Sequence, residues 1–207
     1  MPTHQPTLDP LHERVYLWEV EAQCAHASAA IRQVDATMDQ LRSVMRAEVT
    51  MDSESRRALL KEVFRNLHSF LTHASNASRL LFPVKSGDRN RGAYLRERLD
   101  IPQGSPLQSR ALRDHLEHFD ERLDAWRSKS RSFISDNIGP RQGSMAGIDL
   151  NGALRWYDPT TRTFWFLEES FDIDALAKCV ASLQVKARAL SDPLLPASSA
   201  GVSRNPP

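Results

Sequence analysis

The sequence predicts an all-α fold: an antiparallel bundle of four to five helices, with a small β-hairpin inserted before the last helix. Three observations support this fold class. Apolar residues recur at spacings of three and four through long segments, which is typical of helices with one buried face. Residues that cap helices stand at the start of these segments. A strand-like pattern appears only near residues 151–167.

The composition indicates an ordinary globular protein. The chain has 207 residues, of which 41% are hydrophobic and 26% charged, so we expect a single domain over residues 9–190. The polar, Pro-rich or Ser-rich ends, 1–8 and 191–207, are expected to be disordered. No apolar run is long enough to span a membrane, and no signal peptide is visible. We therefore expect a cytoplasmic protein that does not associate with a membrane.

Charge and cysteine content exclude some classes of function. The formal net charge is +1, which gives no general attraction to nucleic acid, so a nucleic-acid site would have to be a local patch. Cys24 and Cys179 match no metal-binding or redox spacing. We expect two buried thiols in a reducing compartment.

The first helix is predicted from Asp9 and Pro10, which form a cap-then-proline start, to about Arg46. A helix of about 35 residues is long for a globular domain, so a break or bend near residues 27–30 is expected. Its alanines would let a partner helix approach closely. The predicted inner face consists of Leu11, Val15, Trp18, Ala22 and Ala25, continued by Ile31, Val34, Met38, Leu41 and Met45.

The second helix is predicted from Ser53 to Phe82, with Asp52 or Ser53 as its cap and Pro83 as its end. The segment 85–92 contains turn residues and three cations, and it is predicted to be an exposed basic loop. A shorter helix follows over 93–99. The apolar face of the second helix consists of Leu60, Val63, Phe64, Leu67, Phe70, Leu71, Ala74, Ala77 and Leu81.

A central helix is predicted over residues 105–126, with Ser105 as its cap and Pro106 at its first position. Its apolar stripe is Leu112, Leu116, Phe119, Leu123 and Trp126, and its polar side carries Arg113, Asp114, Glu117, His118 and Glu121. Residues 128–144 are predicted to be an irregular connector, because they contain Gly and Pro.

The β-hairpin is predicted from two β-rich runs, 153–157 and 162–167, joined by the turn sequence Asp158-Pro159-Thr160-Thr161. Its aromatic residues could stack on bases, but packing against the helices is the simpler interpretation, because an isolated hairpin is marginally stable. Asp172 or Asp174 is predicted to cap a last helix that runs to about Leu190.

The polar side of the central helix carries groups that suit phosphodiester chemistry. Arg113 and His118 lie about 140° and roughly 7.5 Å apart on a helical wheel, so both could reach one ligand. Asp114 stands four residues before His118, where a carboxylate can orient the imidazole or raise its pKa. The alternative is a solvated helix face with many ion pairs. His115 and His118 could bind a metal at i, i+3, but other ligands are not evident, so we predict no metal and no cofactor.

The segment RDHLEHFDERLDAW resembles the corresponding helix in a bacterial branch of the HEPN superfamily (higher eukaryotes and prokaryotes nucleotide-binding). Arg113 and His118 match the two signature positions of this family, and Asp114 matches the polar residue after the arginine. The later segments LRWYDPTTRTFWF and FDIDAL also resemble the hairpin and last helix of that branch. The resemblance covers about residues 10–190.

This resemblance implies a metal-independent endoribonuclease that acts as a homodimer, with the motif helices of two subunits facing each other. His118 would act as general base or acid while the ribose 2′-OH attacks the phosphate, and Arg113 would hold the phosphate, with Asp114 in support. Such proteins belong to toxin–antitoxin or antiviral systems, so a cognate antitoxin is an expected partner. Further RNA contacts are expected from Glu117, Lys85, Arg89, Arg91, Arg96 and Arg98.

Some members of the superfamily are inert binding or scaffold modules, because a fold does not determine an activity. The alternative function is therefore a non-catalytic helical protein that binds a nucleotide or a partner through the same face. A structural bundle whose polar face only meets water is a third possibility.

Overall fold

The computed structural model describes residues 8–46, 49–114, 119–129, 134–141 and 153–191. Over these ranges the chain is mostly helical and carries one small sheet. This agrees with the prediction of a helical fold that includes a small β-structure. No helix in the described ranges combines the length and apolar character needed to cross a bilayer. The helices are α1 (Pro10–Met45), α2 (Ser53–Leu81), α3 (Arg89–Arg98), α4 (Arg110–Asp114), α5 (Phe119–Lys129) and α6 (Ile173–Ser191).

Helix α1 is the longest element of the fold, and it is continuous. Asp9 caps it by accepting a hydrogen bond from the backbone N–H of His12, as predicted, and Pro10 occupies the first turn. No break occurs at residues 27–30, where a break or bend was predicted: the helix runs continuously through this region. Contacts with α2 and α6 along its length explain why a helix of 36 residues needs no break.

The first half of α1 buries a different face from the one predicted. Leu11, Val15 and Trp18 are 67%, 54% and 63% exposed, whereas Leu17 and Val20 are almost fully buried. Both sets recur at helical spacing, so periodicity alone does not tell them apart. The second half was predicted correctly except for Met45, which is exposed. The buried face is Leu17, Val20, Cys24, Ala27, Ala30, Ile31, Val34, Thr37, Met38 and Leu41.

Helices α2 and α6 both run antiparallel to α1. The side chain of Asp52 caps α2 by accepting from the N–H groups of Glu54 and Ser55, and Phe82 ends the helix before Pro83, as predicted. Asp172 caps α6 through the N–H of Ala175. All members of the predicted apolar face of α2 are buried except Leu60, which is half-buried.

The small sheet contains more than the predicted hairpin. Strands β2 (Ala153–Asp158) and β3 (Thr163–Phe166) form that hairpin, and Asp158 accepts from the N–H groups of Thr160 and Thr161 in its turn. β4 (Glu169–Asp172) pairs with β3, and β1 (Ile134–Ile138) pairs in parallel with β2. The prediction of an irregular connector over 128–144 was therefore wrong for β1, because a parallel partner lies far away in sequence and leaves no local signal.

The aromatic residues of the sheet pack on the helices. Phe164 and Phe166 are fully buried, and both rings contact the edge of the His68 imidazole on α2. Trp156 and Tyr157 are also buried, and Trp165 is half-buried beneath the guanidinium of Arg141. The packing interpretation of these aromatics is thus confirmed, apart from the partial exposure of Trp165.

The predicted central helix does not begin as one α-helix. Ser105 accepts from the N–H of Leu107 and Pro106 follows, as predicted, but they open a short 3₁₀ turn that ends at Gln108. Ser109 has an extended backbone, and α4 starts only at Arg110. Residues 115–118, which include His115, Leu116, Glu117 and His118, lie outside the described ranges.

The segment predicted as a basic loop is largely helical. A 3₁₀ turn covers Ser86–Asp88, and α3 starts at Arg89, four residues before the predicted position. Gly92 explains this packing: a Cβ there would lie 2.4 Å from Cδ of Pro83 and 2.8 Å from the carbonyl oxygen of Leu81. Only glycine fits at this position, so Gly92 allows α3 to lie directly against the end of α2. In the sequence alone, the same glycine indicates a loop.

Candidate functional site: an arginine-lined cleft

A cleft of about 850 Å³ opens where the C-terminal end of α2, helix α3, the loop 101–104 and helix α4 meet. We call it the arginine cleft. Three of the predicted site residues, Arg89, Arg96 and Arg113, line it together, although they are up to 24 positions apart in sequence. The other lining residues are Phe82, Pro83, Asn90, Ala93, Ile101, Pro102, Gln103, Gly104 and Gln108.

Two of these arginines are positioned by the end of α2. Arg96 donates through Nη1 to the carbonyl of Leu81, and Arg113 donates through Nη1 to the carbonyl of Phe82 at 2.6 Å. The last carbonyls of a helix have no partner within it, and they carry partial negative charge, so cations are favoured there. Each guanidinium has five N–H groups, and one bond to a carbonyl leaves the others for a ligand.

The cleft carries uncompensated positive charge. None of its described lining residues is acidic. In the described part of the chain, Arg89, Arg96 and Arg113 form no ion pair with a carboxylate. The amide side chains of Asn90, Gln103 and Gln108 add neutral donors and acceptors. A site with three guanidinium groups and no carboxylate among its described lining attracts anions, and phosphate and carboxylate are the anions that guanidinium geometry matches.

Arg113 is held from both sides. Its backbone carbonyl accepts hydrogen bonds from Nη2 of Arg79 at 2.6 Å and from Oγ of Ser75 at 3.4 Å, which fixes α4 on α2. Its Nε is buried and donates to no group in the described structure. Buried donors are normally paired, and no described residue supplies an acceptor for this one.

The other predicted site residues that the structure describes lie outside the cleft lining. Asp114 forms an ion pair with Arg110 at 3.1 Å and does not line the cleft. Arg91 pairs with Asp88 at 3.7 Å and covers the ring of Tyr16. Lys85 is exposed outside the cleft lining, and Arg98 pairs with Glu13 at 2.7 Å. His118 and Glu117 fall outside the described ranges, so their relation to Arg113 stays a prediction.

Sequence reasoning missed the amide residues of the cleft. Gln103 and Gly104 belong to the turn that follows Pro102, and Gly104 has φ of +76°, a conformation that favours glycine. Gln108 lies at the end of the 3₁₀ turn before Ser109. The turn-forming sequence IPQGS predicted a connection correctly, but no local signal indicated that this connection lines a cleft.

A second polar cluster lies between α1 and α2. The rings of His26 and His73 are 5.0 Å apart, and Nδ1 of His73 lies 2.8 Å from Oε1 of Gln23. Burial lowers the pKa of His73, and His26 lowers it further. No grouping of three potential metal ligands occurs among the described residues, so this cluster is a hydrogen-bonded contact between two helices.

The two cysteines also have structural environments. Cys24 is fully buried in α1, and burial raises the pKa of its thiol to about 12. Cys179 is half-buried, with its Sγ 3.4 Å from Oγ of Ser105. Cys24 is therefore an unreactive thiol.

Comparison of the chain with protein-family models, with curated proteins and with solved structures gives no significant match. The arguments about function accordingly depend on the residues and on the geometry of the cleft.

Proposed function

We propose that this protein binds RNA, with phosphates of the RNA seated in the arginine cleft. The observation that carries this proposal is the convergence of Arg89, Arg96 and Arg113 in one cleft that has no acidic residue among its described lining. A near-neutral protein needs such a local patch to bind a polyanion.

The lining of the cleft suits a nucleotide chain. Guanidinium groups can each donate two hydrogen bonds to one phosphate. The apolar wall of Phe82, Pro83, Ile101 and Pro102 offers contact area for a base or ribose, as in other sites that bind single strands. The amides of Gln103 and Gln108 add hydrogen-bonding groups for base edges or for the 2′-OH.

The same proposal includes cleavage of the RNA by a HEPN-type mechanism without a metal ion. His118 would take the proton of the 2′-OH as this oxygen attacks the adjacent phosphate, and Arg113 would stabilise the added charge on the phosphate oxygens. Asp114 would support this pair. The resemblance extends the proposal to a toxin or antiviral role with a homodimeric protein and a cognate antitoxin.

A second candidate, a non-catalytic HEPN-like binding or scaffold protein, is favoured by one specific observation. Arg96 and Arg113 both bond to carbonyls at the end of α2, and the carbonyl of Arg113 is held by Arg79. These contacts are structural in their own right. A binding function needs only the positive cleft, whereas cleavage also needs His118.

Binding is tested with a short single-stranded RNA carrying a fluorophore, measured by anisotropy over a series of salt concentrations. Arg89 is exposed and its side chain makes no hydrogen bond with a described residue, so Arg89→Glu should weaken binding at least tenfold without loss of folding. Arg57→Glu is the matched control, because Arg57 is an exposed arginine near the other end of α2. Equal weakening in both variants would contradict the cleft as the binding site.

Cleavage is tested with the same RNA in EDTA, using the wild type, His118→Ala and Arg113→Lys, with a DNA of the same sequence as control. The catalytic proposal expects RNA products from the wild type only, and no DNA products. RNA binding without cleavage by the wild type would favour the non-catalytic candidate. Cleavage that persists in His118→Ala would reject the proposed base.

A further inference from the structure

The outer face of α1 carries a long apolar stripe. Leu11, Val15 and Trp18 are 67%, 54% and 63% exposed, which is unusual for large apolar residues that lie side by side. The stripe continues along the same face with smaller side chains. Its members are Leu11, Val15, Trp18, Ala22, Ala25, Ala29 and Ala36, of which Ala22 and Ala25 are half-buried and the others exposed.

The spacing of this stripe fits packing against another helix. From Leu11 to Ala29 the intervals are four, three, four, three and four, the pattern of a helix–helix seam. At 100° per residue the seven side chains fall within an arc of about 80°. The stripe covers about 38 Å of helix from Leu11 to Ala36, a length sufficient for a stable pair when alanines let the backbones approach.

Charged residues along one edge of the stripe are self-complementary. Arg14, Glu21, Arg32 and Asp39 fall within about 20° of one another on the helical wheel. Their order is positive, negative, positive, negative. A two-fold axis between His26 and Ala27 would place Arg14 opposite Asp39 of the second copy, and Glu21 opposite Arg32 of the second copy. The same axis places the bulky Trp18 level with Asp35 of the second copy, one residue from the small Ala36.

From these observations we propose that a second copy of this chain packs on α1 in an antiparallel arrangement about that two-fold axis. A self-complementary surface of this kind defines an isologous dimer. Because α3 and the arginine cleft lie at the N-terminal end of α1, where Tyr94 bonds to Glu13, the two clefts would be roughly 40 Å apart along the helix axis. Each cleft is then formed by one chain, unlike the composite cleft of paired motif helices.

The test is the oligomeric state of the full chain, measured by sedimentation equilibrium over a concentration series. The wild type should be a dimer. Trp18→Glu should weaken the dimer about 30-fold or more, because a central tryptophan of an interface is lost on both sides. Met45→Glu is the control: Met45 is 85% exposed on the same helix, but it lies about 160° from the centre of the stripe, so its dimer should be unchanged.

The antiparallel arrangement has its own test. Arg14→Glu and Asp39→Arg should each weaken the dimer about fivefold, since each places like charges together twice. The double variant restores both contacts, so it should recover most of the affinity. Far-ultraviolet circular dichroism checks that all variants fold. A monomeric wild type at 100 µM, a dimer insensitive to Trp18→Glu, or no recovery in the double variant would each overturn the proposal.

Discussion

Arginines next to the sheet and arginines that line the cleft have different hydrogen-bonding partners. At the sheet end, arginines pair with carboxylates: Arg155 with Asp136 at 2.6 Å and Arg162 with Asp35 at 2.7 Å. At the cleft end, Arg96 and Arg113 bond to backbone carbonyls of α2 instead. A carboxylate cancels the charge of a guanidinium, whereas a carbonyl orients it and leaves the charge in place. Residues of one type thus stabilise one end and create a potential anion site at the other.

The largest expected effect is a loss of stability on removal of an arginine beside the sheet. Arg155 belongs to β2. Its side chain contacts Asp136 on β1, as well as His68 and the ring of Phe64 on α2. Arg155→Ala should lower the free energy of unfolding by about 3 kcal/mol, because Asp136 loses its partner in a half-buried position. Urea denaturation measures this loss. The double variant Arg155→Ala/Asp136→Ala should be more stable than the single one; an equal or larger loss would contradict the pairing argument.

The second effect concerns pH at the sheet end. Burial, with the nearby charge of Arg155, lowers the pKa of His68 to about 4, below its usual value of about 6.5. As the pH falls below 6.5 the unfolded chain binds a proton that the folded chain does not, so stability falls until about pH 4 and then levels off. The loss should be about 3 kcal/mol.

Urea denaturation of the wild type and of His68→Gln at a series of pH values isolates this contribution. The difference between the two stabilities should change between pH 6.5 and 4 and be constant outside this range, since the carboxylates titrate in both proteins. A pH-independent difference would mean that the pKa of His68 is the same in the folded and unfolded chains.

A smaller effect joins stability and binding at the cleft end. Arg113→Ala removes the bond to the carbonyl of Phe82, and we expect a loss of about 1 to 2 kcal/mol in unfolding free energy together with weaker RNA binding. Arg113→Lys keeps the charge and should recover part of the affinity. If Arg113→Ala lost stability but bound RNA as the wild type does, Arg113 would be a helix cap only.

The smallest expected effect on stability is that of Arg89→Ala, and this variant best separates RNA binding from folding. Arg89→Ala should change the unfolding free energy by less than about 0.5 kcal/mol, because Arg89 is exposed. The slope of log affinity against log salt for a single-stranded RNA should nevertheless fall by about 0.7, the value for one lost phosphate contact. An unchanged slope would place the phosphates elsewhere.

The sequence was most informative where the signal is local. Asp9, Asp52 and Asp172 cap helices as predicted, because a cap depends on its immediate neighbours. The hairpin around Asp158 was predicted for the same reason. The inner face of the first half of α1 was predicted wrongly, since Leu11, Val15 and Trp18 have the periodicity of a buried stripe. Strand β1 was missed because its partner is distant in sequence.

The candidate site shows the same division. The types of residue were predictable: Arg89, Arg96 and Arg113 were selected as cations that could meet a phosphate. Their convergence was not, because it depends on how α3 packs on the end of α2 and on the turn that carries Gln103. Lys85 and Arg91 had equal claims in the sequence, but neither lines the cleft.

The close packing of α3 against the end of α2, beside the arginine cleft, requires the absence of a side chain at Gly92. At Gly92 a hydrogen occupies the place where any other amino acid would put a carbon, directly against Pro83 and the Leu81 carbonyl. An alanine there would act as a wedge between α3 and α2, moving two guanidinium groups away from the third. The spacing between the three guanidinium groups therefore depends on a residue that is not part of the cleft lining.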